Sequence, residues 1–268
     1  MLPDDLDATP LDPETPRAVE NSGAETTLPT VLVPEQPARD PFWGYSDLAL
    51  VVGLLIASVA ILIAGVGAFA LVYRNLRSDP TPLLLPTQFA LYLFVYLSFW
   101  ADFKLRYNKP VFTSLGWRQP NVNLIACAVG GVILAFAISA LASVLHTPKI
   151  DSPFDKLASS TFSTVVFGIM AVAIGPLFEE LFFRGFIQPL LSRSFGTLAG
   201  ILLTAVLFGS LHAPEYSWAW QYALAVSLAG AAFGWLRART NSIIPSTVMH
   251  ACFNAVSVAA LAYKHTDI

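Results

Sequence analysis

Charged residues are scarce in this chain. They make up 12% of its 268 residues, whereas about a quarter is usual in soluble domains. Hydrophobic residues reach 55%, and the mean hydropathy is +0.62. This shortage of charge argues against a soluble fold, and the lack of a basic patch argues against a nucleic-acid partner. The composition predicts an integral membrane protein whose main partner is the lipid bilayer.

Several targeting signals are also missing. The N-terminus has no basic stretch followed by a short apolar run, so we expect no cleavable signal peptide, and the first span would direct insertion. The C-terminal residues, YKHTDI, contain no prenylation box. Cysteine is rare as well. Cys127 and Cys252 fall in different apolar segments, where we expect small apolar side chains rather than a disulfide.

The first 43 residues differ from the rest of the chain. They contain nine acidic and two basic residues, with prolines scattered among them. A high net charge with few large apolar groups is typical of disordered segments. We therefore predict a disordered acidic tail over 1–43, followed by membrane helices that divide into an N-terminal group over 44–160 and a core over 161–263.

Apolar stretches of about twenty residues recur beyond this tail, separated by short polar connectors. A helix rises ~1.5 Å per residue, so each stretch is long enough to cross the ~30 Å hydrocarbon core of a bilayer. The predicted fold class is all-α, a polytopic transmembrane helix bundle of about seven spans. The predicted spans are Leu48–Tyr73, Leu83–Ala101, Leu124–Leu145, Thr161–Leu191, Leu198–His212, Ala219–Leu236 and Ile243–Tyr263.

The distribution of basic residues predicts the orientation. With the N-terminus inside, seven Lys and Arg residues flank the spans on the inner side and five on the outer side. Basic residues accumulate on the cytoplasmic side of membrane proteins. This modest bias favours a cytoplasmic N-terminus, and we expect the protein in the plasma (inner) membrane.

Three charged residues lie inside the predicted fourth span: Glu179, Glu180 and Arg184. An ionised side chain there costs roughly 2.5–3.5 kcal/mol on insertion scales, so such residues are usually paired or functional. Glu180 and Arg184 have the favourable i, i+4 spacing, whereas Glu179 is about 140° from Arg184 around the helix. We predict a Glu180–Arg184 ion pair beside a Glu179 carboxylate that faces other helices. A purely structural ion network is the alternative.

Three further polar side chains interrupt apolar spans. His212 lies in the fifth span, and His250 and Asn254 lie four residues apart on one face of the seventh. If the fourth span ends at a turn near 194–196, Glu179 and His212 both lie ~22 Å from that turn, and the seventh span starts on the same side. Because these polar residues lie at matching depth in the membrane, we predict that they form one site. Taken singly, each residue could be an interhelical hydrogen-bonding group.

Other features of these spans concern packing. Pro176 is expected to kink the fourth span and to open room beside Glu179. Gly230 and Gly234 have the small-xxx-small spacing of close helix packing. The aromatic residues of the second span are expected to be lipid-facing or interfacial rather than part of a ligand site. They are Phe89, Tyr92, Phe94, Tyr96, Phe99 and Trp100.

The polar residues fall in three short motifs, EELFFR (179–184), FGSLH (208–212) and HACFN (250–254). In order and rough spacing they resemble the EExxxR, FxxxH and HxxxN motifs of the CAAX-protease and bacteriocin-processing family. This family is also called the Abi or type II CAAX prenyl endopeptidase family of intramembrane proteases. The resemblance covers about 161–258, and SLGWR before the third span also looks like the family.

The resemblance implies an endopeptidase that hydrolyses peptide bonds near the membrane surface. Its substrate would be a protein or peptide, with or without a prenyl group. Glu179, aided by His212, would activate the attacking water. His250 and Asn254 would stabilise the developing oxyanion or take part in metal binding.

The resemblance also implies that Glu180 and Arg184 hold the site in shape, but it leaves the metal open. Glu179, His212 and His250 could supply the three protein ligands of an open zinc site. No HExxH motif is present, and these ligands would come from three helices. A glutamate-dependent mechanism without metal is the other alternative.

Two non-proteolytic hypotheses compete with this interpretation. A bacteriocin-immunity or membrane adaptor protein of the same fold would use the polar cluster only to stabilise the bundle. A proton-coupled secondary transporter would use the glutamates as proton carriers. The transporter hypothesis is disfavoured because the sequence shows no repeat of two matched hydrophobic halves.

Overall fold

The structure is a computed structural model that describes residues 40–73, 81–150 and 161–266. These residues form ten α-helices and no strand, so the predicted all-α class is confirmed. The predicted acidic tail lies outside the described residues, except for its last four positions.

Within the described ranges, the connectors between successive helices are short. Three π-helical stretches interrupt them: Ala101–Arg106 extends α2, and Met170–Ile174 and Leu181–Ile187 join α5, α6 and α7 into one broken helix over 161–195. A 3₁₀ turn, Ala213–Tyr216, follows α8. The helices are α1 (Tyr45–Val72), α2 (Thr81–Trp100), α3 (Val111–Ser114), α4 (Leu124–Val144), α5 (Thr161–Ile169), α6 (Gly175–Glu180), α7 (Gln188–Phe195), α8 (Thr197–His212), α9 (Trp220–Thr240) and α10 (Ile244–Thr266).

The membrane spans agree with the predicted ones to within a few residues at most ends. The predicted sixth span, Ala219–Leu236, corresponds to α9, whose 21 residues include glutamine and two arginines. Six other helical stretches are long and apolar enough to cross a membrane, so with α9 the protein is an integral membrane bundle of about seven helices. The six are Tyr45–Val72, Leu83–Arg106, Leu124–Val144, Phe162–Phe195, Thr197–Tyr216 and Ile244–Tyr263.

An aromatic anchor precedes the first helix. Trp43 is buried, and its indole Nε1 donates a hydrogen bond to the backbone carbonyl of Phe186 at 3.1 Å. The backbone N–H of Gly44 donates to Asp47 Oδ2 at 2.7 Å, which satisfies a free donor at the helix N-terminus. The start of α1 is thereby fixed against the broken helix.

A charged cluster joins α1 to the end of the second span. Arg106 Nη1 lies 2.5 Å from Asp47 Oδ1 and 2.8 Å from Asp102 Oδ1. The hydroxyl of Tyr107 donates to Asp47 Oδ1 at 2.8 Å. Both carboxylates are buried and therefore need these donors, while the Arg106 side chain is half-exposed. Asp47 and Asp102 thus share one cation, Arg106.

The turn between α7 and α8 depends on glycine. Gly196 has a φ of +87°, a conformation that residues with a side chain rarely adopt. Gly200, one turn into α8, lies against the backbone of Ser192, where a side chain would clash. The two helices consequently form a tight hairpin. The turn predicted near 194–196 is confirmed.

Glycine also allows close packing between other helices. Gly131 of α4 lies directly against the backbone of Met249 in α10. At Gly230 of α9, an added Cβ atom would lie 3.0 Å from Phe208 Cδ1. The close packing predicted for the Gly230 and Gly234 pair is confirmed, because Gly234 likewise approaches Gln188.

The prediction for the second-span aromatics is only partly right. Phe89 and Trp100 are exposed on the outside of the bundle, as expected. Phe99 is 1% exposed, however, and Tyr92 contacts Glu179. The prediction fails for these two because α2 packs one face against the broken helix, so aromatic residues on that face lie inside the protein. Both cysteines are free, as predicted.

Candidate active site

The predicted ion pair between Glu180 and Arg184 is confirmed. Arg184 Nη1 lies 2.9 Å from Glu180 Oε1, and both side chains are 0% exposed. Arg184 Nη2 also donates to the backbone carbonyl of Gly230 at 2.9 Å, and its guanidinium lies 4.4 Å from the ring centre of Phe208. One arginine therefore connects the broken helix to both α8 and α9.

A second polar contact repeats this pattern one helical turn further along. Gln188 Nε2 donates to the backbone carbonyl of Gly234 at 2.8 Å. Because glycine has no side chain, Gly230 and Gly234 leave their carbonyls accessible to Arg184 and Gln188. These glycines therefore provide backbone acceptors in addition to close packing. The sequence analysis missed Gln188, a buried amide within an apolar span, which must find a partner.

His250 lies between the two glutamates. Its Nδ1 is 3.2 Å from Glu180 Oε1, and its Nε2 is 3.7 Å from Glu179 Oε2. A carboxylate only accepts, so Nδ1 donates to Glu180 and Nε2 faces Glu179. The imidazole also stacks on Phe233, with ring centres 4.5 Å apart. The two nitrogens of the buried ring thus face the two glutamates, and the ring itself packs on Phe233.

Glu179 differs from its neighbour in accessibility. Its side chain is 23% exposed, whereas that of Glu180 is 0% exposed. The hydroxyl of Tyr92 donates to Glu179 Oε1 at 3.3 Å. The Glu179 carboxylate is therefore accessible from outside the protein, whereas that of Glu180 is not. This division matches the predicted supporting pair and free carboxylate.

The sequence analysis missed Tyr92 as a contact of Glu179. The two residues lie 87 positions apart on different helices, and sequence spacing carries no information about such a contact. One signal was present, since a buried tyrosine hydroxyl in an apolar span needs a hydrogen-bond partner. That signal does not identify which partner it takes.

His212 lies at the end of α8 and is half-buried. Its Nδ1 is 2.8 Å from the backbone carbonyl of Phe208, so Nδ1 donates and Nε2 stays available. No hydrogen bond or ion pair joins His212 to Glu179 among the described contacts. The ring of Phe208 contacts both histidines, with its centre 4.5 Å from that of His212 and 5.8 Å from that of His250.

Glu215 is a further charged residue near the site. It lies in the 3₁₀ turn directly after His212, and its carboxylate is near enough to His212 and Glu179 for an electrostatic influence. The C-terminal end of α8 therefore faces the same region as Glu179. The sequence analysis did not consider Glu215, because it lies just beyond the end of the predicted fifth span.

Asn254 binds the broken helix rather than Glu179. Its Nδ2 donates to the backbone carbonyl of Ala171 at 2.8 Å. In the π-helical stretch, the Gly175 N–H bonds to the Met170 carbonyl, five residues back. The next donor in that register would be Pro176, which has no N–H. Asn254 thus supplies the donor that Pro176 lacks, and the predicted irregularity at Pro176 is confirmed. Its predicted role at the oxyanion stays a prediction.

We expect Asn254→Ala to destabilise the protein by roughly 1–2 kcal/mol, because the Ala171 carbonyl would lose its donor in an apolar environment. Unfolding in detergent measures this difference. The control is Ser139→Ala, which removes a hydroxyl that bonds only within its own helix. Equal stability of the Asn254 variant and the control would contradict the assignment.

The predicted zinc ligands are not gathered in this structure. Within 40–73, 81–150 and 161–266, no three His, Cys, Asp or Glu side chains lie close enough to hold a metal ion. Glu179 and His250 approach each other, but the Nδ1 of His212 is bound to its own helix. The three-ligand set is not assembled among the described residues, so it stays a prediction. A requirement for zinc stays a prediction.

The fold and the site define a class of protein, namely a helical membrane protein with a glutamate and histidine centre among its spans. A family model described as Rce1-like, type II CAAX prenyl endopeptidase Rce1-like, matches residues 161–256. The resemblance drawn from the three motifs is thereby confirmed, and all six predicted site residues lie in the matched segment. At this level the match indicates a membrane protease. Searches of curated proteins and of solved structures gave no match.

Proposed function

We propose that the protein is an intramembrane endopeptidase of the CAAX prenyl protease type, with Glu179 as its general base. The observation that carries this proposal is a series of contacts that runs from Arg184 through Glu180 and His250 to Glu179. Of these four side chains, only Glu179 has substantial exposure. A general base must reach its water, and the buried members can hold it in place.

The chemistry follows from this arrangement. Glu179 takes a proton from a water molecule whose oxygen attacks the peptide carbonyl carbon. The tetrahedral intermediate then collapses as the C–N bond breaks, and the proton passes to the leaving amine. The products are a new carboxylate and a new amine. The negative charge on the carbonyl oxygen needs hydrogen-bond donors, each worth about 2.7–4 kcal/mol in known oxyanion holes.

His212 and His250 are the candidate helpers in this reaction. The free Nε2 of His212 can accept a hydrogen bond from the water and orient it, if substrate binding brings the end of α8 closer. His250 can donate to the oxyanion only when its Nε2 carries a proton. Asn254 can donate to the oxyanion only after its amide has released the Ala171 carbonyl. We therefore assign water positioning to His212 and leave Asn254 as the weaker oxyanion candidate.

The proposed substrate is a protein or peptide that is cleaved near its C-terminus at the membrane surface. A prenyl group would anchor such a substrate in the lipid next to the site. This choice is supported by the description of the matching family model. We also propose the plasma (inner) membrane as the location, with a cytoplasmic N-terminus.

Cleavage of a farnesylated peptide with a C-terminal CAAX sequence tests the proposal. Mass spectrometry should find a peptide shortened at its C-terminal end with the purified protein, and none with Glu179→Gln. The same peptide without the prenyl group measures the contribution of the lipid, and a parallel reaction with a metal chelator tests the zinc alternative. Absence of any product, here and with an unprenylated peptide library, would favour the adaptor hypothesis instead.

A further inference from the structure

We propose that Tyr92 is a positioning residue of this site, whose phenol fixes the Glu179 carboxylate in the orientation of a general base. The inference rests on the proposed function of Glu179. It extends the site to α2, which lies outside the segment matched by the family model. The second span would then form a wall of the active site as well as a membrane anchor.

The two carboxylate oxygens of Glu179 have different surroundings. Oε1 accepts a hydrogen bond from the Tyr92 hydroxyl at 3.3 Å, whereas Oε2 lies 3.7 Å from His250 Nε2. A carboxylate cannot donate, so the phenol is the donor in the first contact. Oε1 is therefore held, and Oε2 is the oxygen left to take a proton from water.

The phenol is itself held in place. Its ring stacks on Phe178 with ring centres 5.2 Å apart and an angle of 9° between the planes. Phe178 directly precedes Glu179, so the ring and the carboxylate are supported by the same turn of α6. Tyrosine has few side-chain torsions and loses little entropy when it is fixed in this way. A stacked tyrosine is thus well suited to orient a neighbouring base.

Gly175 provides the space that this contact needs. A Cβ atom added at Gly175 would lie 3.1 Å from the Tyr92 hydroxyl oxygen and 3.7 Å from Glu179 Oε1. It would also lie 3.0 Å from the carbonyl oxygen of Met170. Any larger residue would press on the hydroxyl. The glycine at the start of α6 is therefore part of the same arrangement.

A purely structural hydrogen bond is the competing explanation, since a phenol inside a membrane bundle needs a partner in any case. The chain offers a matched control in Tyr96, one turn further along α2. Tyr96 is half-buried, its ring lies 6.0 Å from that of Phe112, and it makes no described contact with Glu179. Tyr96→Phe removes the same hydroxyl from the same helix without touching the base.

The test compares Tyr92→Phe and Tyr96→Phe in the peptide-cleavage assay. We expect Tyr92→Phe to lower kcat by about 10- to 100-fold, because the Glu179 carboxylate would no longer be held in its productive orientation, and a misplacement of about 1 Å can cost on the order of 10²-fold in rate. KM should change little. The acid limb of the pH–rate profile should move to higher pH, because the ionised carboxylate loses a donor. Tyr96→Phe should leave all three properties unchanged. Equal effects of the two variants, or an unshifted acid limb for Tyr92→Phe, would overturn the proposal.

A spectroscopic titration keeps the two proposals distinguishable. Infrared difference spectra recorded against pH identify the Glu179 carboxyl band as the one missing in Glu179→Gln. Tyr92→Phe should move the appearance of this band to higher pH, whether or not a substrate has been found. An unmoved band would refute the role of Tyr92 and leave Glu179 as the base. Full cleavage by Glu179→Gln would refute the proposed function, and the positioning role with it.

Discussion

Glu179→Gln is expected to lower kcat/KM for peptide cleavage by about 10²- to 10⁴-fold, the usual contribution of a general base. Glutamine has nearly the same shape as glutamate, and its amide oxygen can still accept from Tyr92. It cannot take a proton from water at ordinary pH, however. Because the Glu179 side chain is 23% exposed, the substitution should cost little stability. The loss should therefore appear in kcat, with an unchanged unfolding temperature.

Two comparisons sharpen this prediction. Glu179→Asp keeps a base but withdraws it from Tyr92 by one methylene group, so we expect an intermediate loss of activity. Glu215→Gln removes a carboxylate that acts on the site only through its charge, and we expect less than about a tenfold loss. A Glu179→Gln enzyme that keeps more than a tenth of its activity would contradict the assignment of the base.

The contacts that sequence analysis predicted best follow from helical spacing or from matching depth in the membrane. The Glu180 and Arg184 pair follows from helical spacing alone, and it survives although Arg184 lies in a π-helical stretch. The approach of His250 to Glu179 could be expected from matching depth, because the seventh span starts on the same side of the membrane as the turn that ends the fourth span. Helical spacing was sufficient for the first contact, and matching depth for the second.

The remaining contacts depend on how each helix is rotated about its own axis, which periodicity does not determine when most positions are apolar. Tyr92 could have faced lipid, as expected, but the rotation of α2 turns it toward Glu179. His250 bonds to Glu180 as well as facing Glu179, so the supporting pair and the base share one histidine. Depth arguments place residues at one level and do not select their partners.

Asn254 shows a signal that was present in the sequence but was combined incorrectly. Pro176 was expected to kink the fourth span, and Asn254 was expected to share one site with Glu179. The structure connects the two observations, since the Asn254 amide donates to the carbonyl of Ala171. A free carbonyl inside a membrane bundle needs a donor, and an intramembrane asparagine on a neighbouring helix is a natural source.

Arg184→Met is expected to destabilise the protein by about 3–5 kcal/mol, because it leaves the Glu180 carboxylate buried without its cation. Arg184 also donates to the Gly230 carbonyl and lies over the Phe208 ring, so its loss loosens three elements together. Unfolding in detergent measures the change. Arg239→Met, an exposed position, serves as the control and should stay within about 0.5 kcal/mol of the original protein.

A double variant, Glu180→Gln with Arg184→Met, distinguishes the effect of the unpaired Glu180 charge from the effect of losing the arginine side chain. Replacing both ions of a buried pair is often far less destabilising than removing one. The glutamine oxygen can still accept from His250 Nδ1, so the histidine should keep its orientation toward Glu179. We therefore expect the double variant to regain most of the lost stability and measurable cleavage. If it is as unstable as Arg184→Met, the arginine acts mainly through Gly230 and Phe208, and the role of the ion pair as a support for His250 is wrong.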